Sequence, residues 1–256
     1  MGSASAAPIG RGSTVPATQV ALVAALLTLT VAGCGIESAP FIAGPKADEV
    51  DVIIAPARIT FLHNENDNDT DEFEGYDLYY KLYEDSLSGC QPGDACADDR
   101  AYILQDPVPT GPSRLLGRDY RRMVPGNTPG ATPNLEISNG NKGDEFEVLL
   151  DMAEGAETGQ TAIVADWPDG PIELNRGVPR VGFNEYKSFL LRDHYENNDD
   201  DVDHMDNGDD IQQVITDGNL YTAVYALGYG IDPGSLQALY SEPVFLGYVQ
   251  IEPLTS

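Results

Sequence analysis

Along most of the chain, apolar and polar side chains alternate with a period of two. The clearest stretch is Tyr76–Glu84, YDLYYKLYE. Tyr76, Leu78, Tyr80 and Leu82 fall on one face of an extended strand, and Asp77, Tyr79, Lys81 and Tyr83 on the other. Shorter β-rich runs at 50–54, Arg58–His63, Phe146–Met152, Thr161–Asp166, Tyr186–Leu191, Leu220–Leu227 and Val244–Ile251 predict further strands. Helical signals are few. Ser235–Tyr240, entered through Asp232-Pro233-Gly234, predicts one or two helical turns, and Ile211–Ile215 is a weaker candidate. Many short strands punctuated by Gly and Pro predict an all-β sandwich or barrel.

One apolar run breaks this pattern. Val20–Ala32, VALVAALLTLTVA, is 13 residues without a charge. A spanning helix needs ~20, so the run suits the core of an export signal instead. Arg11 is the only basic residue before it, which is a weak flank for such a signal. The run ends in Val31-Ala32-Gly33-Cys34, which resembles the lipobox of bacterial lipoproteins: an aliphatic residue, two small residues that fit beside the cut, then a cysteine. The resemblance implies a diacylglycerol thioether on Cys34 and an acyl chain such as palmitate on its new amino group. Two such signals anchor stably where one chain is marginal. The expected organisation is a signal peptide over 1–33, a flexible tether over 34–50 and a folded part over 51–256, lipid-anchored in the cell envelope.

Composition bears on partners. Hydrophobic residues are 41% of the chain, enough for a core, which argues against wholesale disorder. The formal charge is -28, which repels phosphate backbones and makes nucleic acid a poor partner. Solubility and divalent-cation binding both remain as readings of the acid excess.

Cys90 and Cys96 are then the two cysteines left to each other, and outside the cytoplasm thiols tend to pair. Gln91-Pro92-Gly93-Asp94 between them is good turn chemistry. A zinc site is disfavoured, since two Cys at this spacing have no nearby His.

Gly75-Tyr76-Asp77-Leu78-Tyr79-Tyr80-Lys81 resembles the third strand of fibronectin type III modules, and Tyr221–Ala226 is similar to their sixth. Val244–Ile251 takes the place of the last strand and Arg58–Leu62 that of an early one. The early-strand Trp is absent, because Trp167 is the only Trp. The resemblance implies a fibronectin type III/immunoglobulin-like sandwich with a large insertion at about 95–210, or two β domains in tandem. Such modules act as spacers or binding surfaces, which implies a non-enzymatic role with a protein or carbohydrate ligand. The layout as a whole also resembles envelope lipoproteins of spirochaete type, a likeness that brings no activity with it.

Two acidic runs, Asn64–Glu74 and Glu196–Asp210, hold 14 of the 42 carboxylates. Calcium takes six to eight oxygens. Asp67, Asp69 and Asp71 in the first run, and Asp199, Asp201, Asp203 and Asp206 in the second, are the candidate ligands; solvated loops are the alternative. Neither run has the EF-hand Gly and Glu. His63, His194 and His204 are the only histidines and show no metal-binding spacing. No Gly-x-Ser-x-Gly elbow or phosphate-cradling loop points to a hydrolase. Tyr79 and Tyr83 form either a binding patch or cross-strand packing. Trp167, beside the Pro168-Asp169-Gly170 turn, is either an exposed contact or a plug over the edge of the fold.

Overall fold

The computed structural model describes residues 40–47, 58–84, 90, 93–126, 128, 130–151, 163–178, 186, 189 and 220–251. All belong to the second of two units, Pro40–Ser256. The expected strand over 50–54, the candidate helix at Ile211–Ile215 and most of Tyr186–Leu191 lie outside these residues.

The fold is mostly β, with antiparallel sheets. Alternation located most of the long strands. β1 (Arg58–Leu62), β2 (Phe73–Glu84), β6 (Glu147–Asp151), β7 (Ile163–Asp166), β9 (Leu220–Ile231) and β11 (Val244–Ile251) all fall on predicted runs, β2 and β9 running further than expected. Between them lie the short strands β3 (Arg121–Arg122), β4 (Val124–Pro125), β5 (Leu135–Glu136), β8 (Ile172–Asn175) and β10 (Ala238–Tyr240). Three short helices, α1 (Glu65–Asn68), α2 (Ala95–Ile103) and α3 (Ser113–Leu116), complete the described residues.

Sheet one runs β1-β6-β7-β8-β4. In sheet two β2 is central: β9 flanks it on one side and β3 and β5 on the other, and β9 in turn carries β10 and β11. The two sheets share a core. Ile59 and Phe61 of β1, Val148 and Leu150 of β6 and Leu174 of β8 meet Tyr76, Leu78 and Tyr80 of β2 and Val224 and Ala226 of β9. The alternation of β2 therefore points the predicted face inward.

Two expectations change, and a third gains detail. The residues expected as an insertion, at about 95–210, are built into the sheets. They supply four of the five strands of sheet one, because β1 alone cannot cover the apolar face of sheet two. Residues 40–47, the later part of the expected tether, are packed, with Ile42 and Ala43 buried and Lys46 bridged to Leu62. Ser235–Tyr240 is not helical. Ala238–Tyr240 pairs with Tyr229–Ile231 as β10, since hairpin closure onto β9 outweighs the weak local helix preference.

The opposite face of sheet two is also covered. Tyr79, Tyr83, Tyr221, Tyr225, Phe245 and Tyr248 pack under α2 and α3 through Cys96, Ile103 and Leu115. A bulge between Phe245 and Gly247 shifts the alternation of β11, so that Phe245 and Tyr248 share this face. α2 has no clear apolar stripe, which is why periodicity does not reveal it; it is held from outside. A disulfide joins Cys96 to Cys90. Asp99 Oδ2 accepts hydrogen bonds from Lys81 Nζ at 2.6 Å and from the Tyr83 hydroxyl at 2.8 Å.

Candidate functional site

The first acidic run is tied down by protein partners. Asn68, at the end of α1, is buried and makes two hydrogen bonds to the backbone of one residue: its Oδ1 accepts from Ala43 N–H at 3.0 Å, and its Nδ2 donates to Ala43 C=O at 3.1 Å. Glu65 pairs with Lys46 at 2.8 Å, which holds its carboxyl below the ordinary range. Asn64 Nδ2 donates to Asp67 Oδ2 at 3.0 Å. Asp67, Asp69 and Asp71 are exposed, and among the described residues no three His, Cys, Asp or Glu side chains gather as a metal site. Asp199, Asp201, Asp203 and Asp206, together with His194 and His204, lie outside the described residues, as does Cys34.

His63 is buried in an aromatic box. Its ring stacks on Phe146 with centroids 4.6 Å apart and lies edge-on to Tyr76. The Tyr76 hydroxyl accepts from Asn64 N–H and Asn68 Nδ2, so its own proton goes to His63 Nδ1 at 2.8 Å. His63 Nε2–H then donates to the Lys142 carbonyl at 2.7 Å. Both nitrogens are used by the neutral ring, and burial pushes its pKa below 6.5, outweighing the Lys142 carbonyl. This is a structural histidine.

The polar groups over the tyrosine face likewise act as a clasp. Tyr83 and Tyr120 share a 2.9 Å hydroxyl contact, and burial pushes both phenols well above their ordinary pKa. Tyr79 and Tyr83 are therefore packing residues, at 4% and 7% exposure, and do not form a surface patch. On the neighbouring part of β2, Asp77 is buried against Arg122 and accepts from Asn134 N–H at 3.0 Å.

A groove of about 440 Å³ opens on the edge where β4, β5 and β8 approach one another. Pro125, Pro133, Pro171 and Ile172 make it apolar, and Trp167 forms part of its wall. Trp167 follows β7 and is only 9% exposed, its body lying in the shared core. It is thus a plug of the fold whose edge faces the groove, which joins the two sequence readings. The turn after it is fixed by Asp169, which accepts from Ser138 N–H and from Asn141 Nδ2, both at 2.9 Å. Glu136 lines the same groove from β5 with an exposed carboxylate. The arrangement offers apolar walls beside a carboxylate that accepts hydrogen bonds. Only Trp167 was visible beforehand. Glu136 and the prolines come from three separate segments, and no local pattern links them.

No family model, curated protein or solved structure matches this chain.

Proposed function

We propose that this chain is a lipid-anchored, non-enzymatic binding or structural protein of the cell envelope, whose body is a fibronectin type III-like sandwich. The observation that carries the reading is the register of an uncharged apolar run, two small residues and Cys34, followed within a few residues by a packed body beginning near Pro40. The Cys90–Cys96 disulfide supports it, because such bonds persist in oxidising compartments. The pairing of β2, β9 and β11 supports the sandwich type: they stand in the order of the third, sixth and seventh strands of immunoglobulin-like domains, while β1 pairs β6 as the second strand pairs the fifth. The extra strands β7, β8 and β4 depart from that plan. The groove beside Trp167 is the ligand site of this reading, for a protein segment or a saccharide.

Growth with labelled palmitate tests the anchor. The full chain is expected to carry label and to sediment with membranes, and Cys34→Ala to lose both. A native protein that begins at another residue and bears no acyl group refutes the reading. Titration of the single Trp's emission with envelope saccharides and with proline-rich peptides tests the groove.

A further inference from the structure

Three exposed apolar side chains belong to segments that come together near the end of β9. Phe41 is 69% exposed, Leu236 80% and Ile231 37%. Their placement follows from the fold. Ile231 ends β9, and Leu236 closes the turn that joins it to β10. Ile42, the residue after Phe41, lies on the same strand end: a methyl group added to Gly230 would meet Ile42 Cδ1 at 2.8 Å. Single exposed apolar residues are ordinary on protein surfaces, so exposure alone decides nothing.

Two further observations do. The first is backbone strain. Leu236 sits at φ 57°. The other described non-glycine residue in that region is Asp119, and Asp tolerates it through local hydrogen bonding, whereas Leu does not. Here the strained Leu gains no burial in return. The turn that presents it is rigid: Leu236 N–H donates to Asp232 C=O at 2.7 Å, Asp232 N–H donates to Gln237 C=O at 2.9 Å, and the Asp232 carboxylate accepts from Gly234 N–H and Ser235 Oγ. Outliers of this kind are retained where a site uses the presented side chain.

The second observation is chain length. Five residues separate Cys34 from Pro40, which makes six peptide steps. Even fully extended they span at most about 20 Å. A lipid on Cys34 would therefore hold Phe41 and its neighbours close to the bilayer surface.

We propose that Phe41, Ile231 and Leu236 form a membrane-contact patch that seats the body on the lipid surface beside its anchor. The inference rests on the lipoprotein reading and adds an orientation to it. The contact is apolar, since a chain of charge -28 is repelled by anionic headgroups and is drawn only to a neutral face. The side chains would reach the boundary of headgroups and acyl chains, where interfacial apolar residues bury to a depth of about 5–10 Å.

The test uses the full lipidated chain in phosphatidylcholine vesicles containing brominated acyl chains, with the parent's Trp167 emission as baseline. Leu236→Trp and Phe41→Trp are each expected to add emission that is blue-shifted and lost to bromine quenching. Leu116→Trp, at an exposed position on α3, is expected to stay unquenched. All three sites are exposed, so the variants keep the core intact. Intact mass separates the outcomes. An acylated, vesicle-bound protein in which Leu236→Trp escapes quenching, or Leu116→Trp is quenched equally, overturns the patch alone. A chain with no acyl mass on Cys34 overturns the lipoprotein reading and the patch with it.

Discussion

Asn68→Leu is the substitution whose cost the structure defines most directly. The two side chains are similar in size, so the exchange removes hydrogen bonds with little change in volume. Ala43 N–H and C=O would stay buried without partners, and each such group costs about 1–3 kcal/mol. The chain has one escape: residues 40–44 can lift away and hydrate, which gives up the burial of Ile42, worth roughly 1.5–3 kcal/mol. The cheaper route sets the loss, which is therefore about 2 kcal/mol. With a urea slope of ~2 kcal/mol per M, the midpoint is expected to fall by ~1 M. Urea titration followed by the emission of Trp167 reads the global term. Hydrogen exchange at the Ala43 amide reads the local one and should show lost protection. An unmoved midpoint together with an equally protected Ala43 amide would refute the reasoning that Asn68 holds the N-terminal segment.

Stability is expected to depend on the protonation of His63. Its folded pKa lies below 6.5, so as the pH falls through 6.5 the unfolded chain takes up a proton that the folded chain refuses, and stability drops until the lower folded pKa is reached. Urea midpoints at about pH 7.5 and about pH 5 should differ more for the parent than for His63→Gln; equal differences would remove His63 from the account. Cys90→Ser with Cys96→Ser is expected to cost ~2 kcal/mol of loop-closure entropy, read as a lower melting temperature; intact mass before and after reduction checks that the parent holds the bond. Gly75→Ala brings a methyl group within 2.0 Å of the Leu135 carbonyl, which must push β5 off β2. A loss above ~2 kcal/mol by urea titration is expected, and a neutral result would contradict the close approach.

What was legible in the sequence follows from the range of each interaction. Alternation is a local property of a chain with one face in a core, so β1, β2, β6, β7, β9 and β11 could be placed from their own residues. The Gly75–Lys81 motif placed the inward face of β2 correctly. Its other face reads as half polar, because the text of one strand does not reveal that Asp99 and Tyr120 arrive to satisfy Lys81 and Tyr83. The short strands β3, β4, β5 and β10 have two or three residues each, too few to show a period, and exist because neighbouring strands offer them an edge. The order within the first acidic run was hidden for a related reason. Its composition announces carboxylates, while the residue that matters most for order is an amide among them, Asn68, whose partner lies 25 residues earlier.

The aromatic layer beneath α2 and α3 has a consequence for descent. Any sibling chain that had lost α2 and α3 would bare six rings on a single sheet and adhere to its own kind. Such a sibling is expected to carry small or charged side chains at the positions of Tyr79, Tyr83, Tyr221, Tyr225, Phe245 and Tyr248, so the two helices and the rings are gained or lost together.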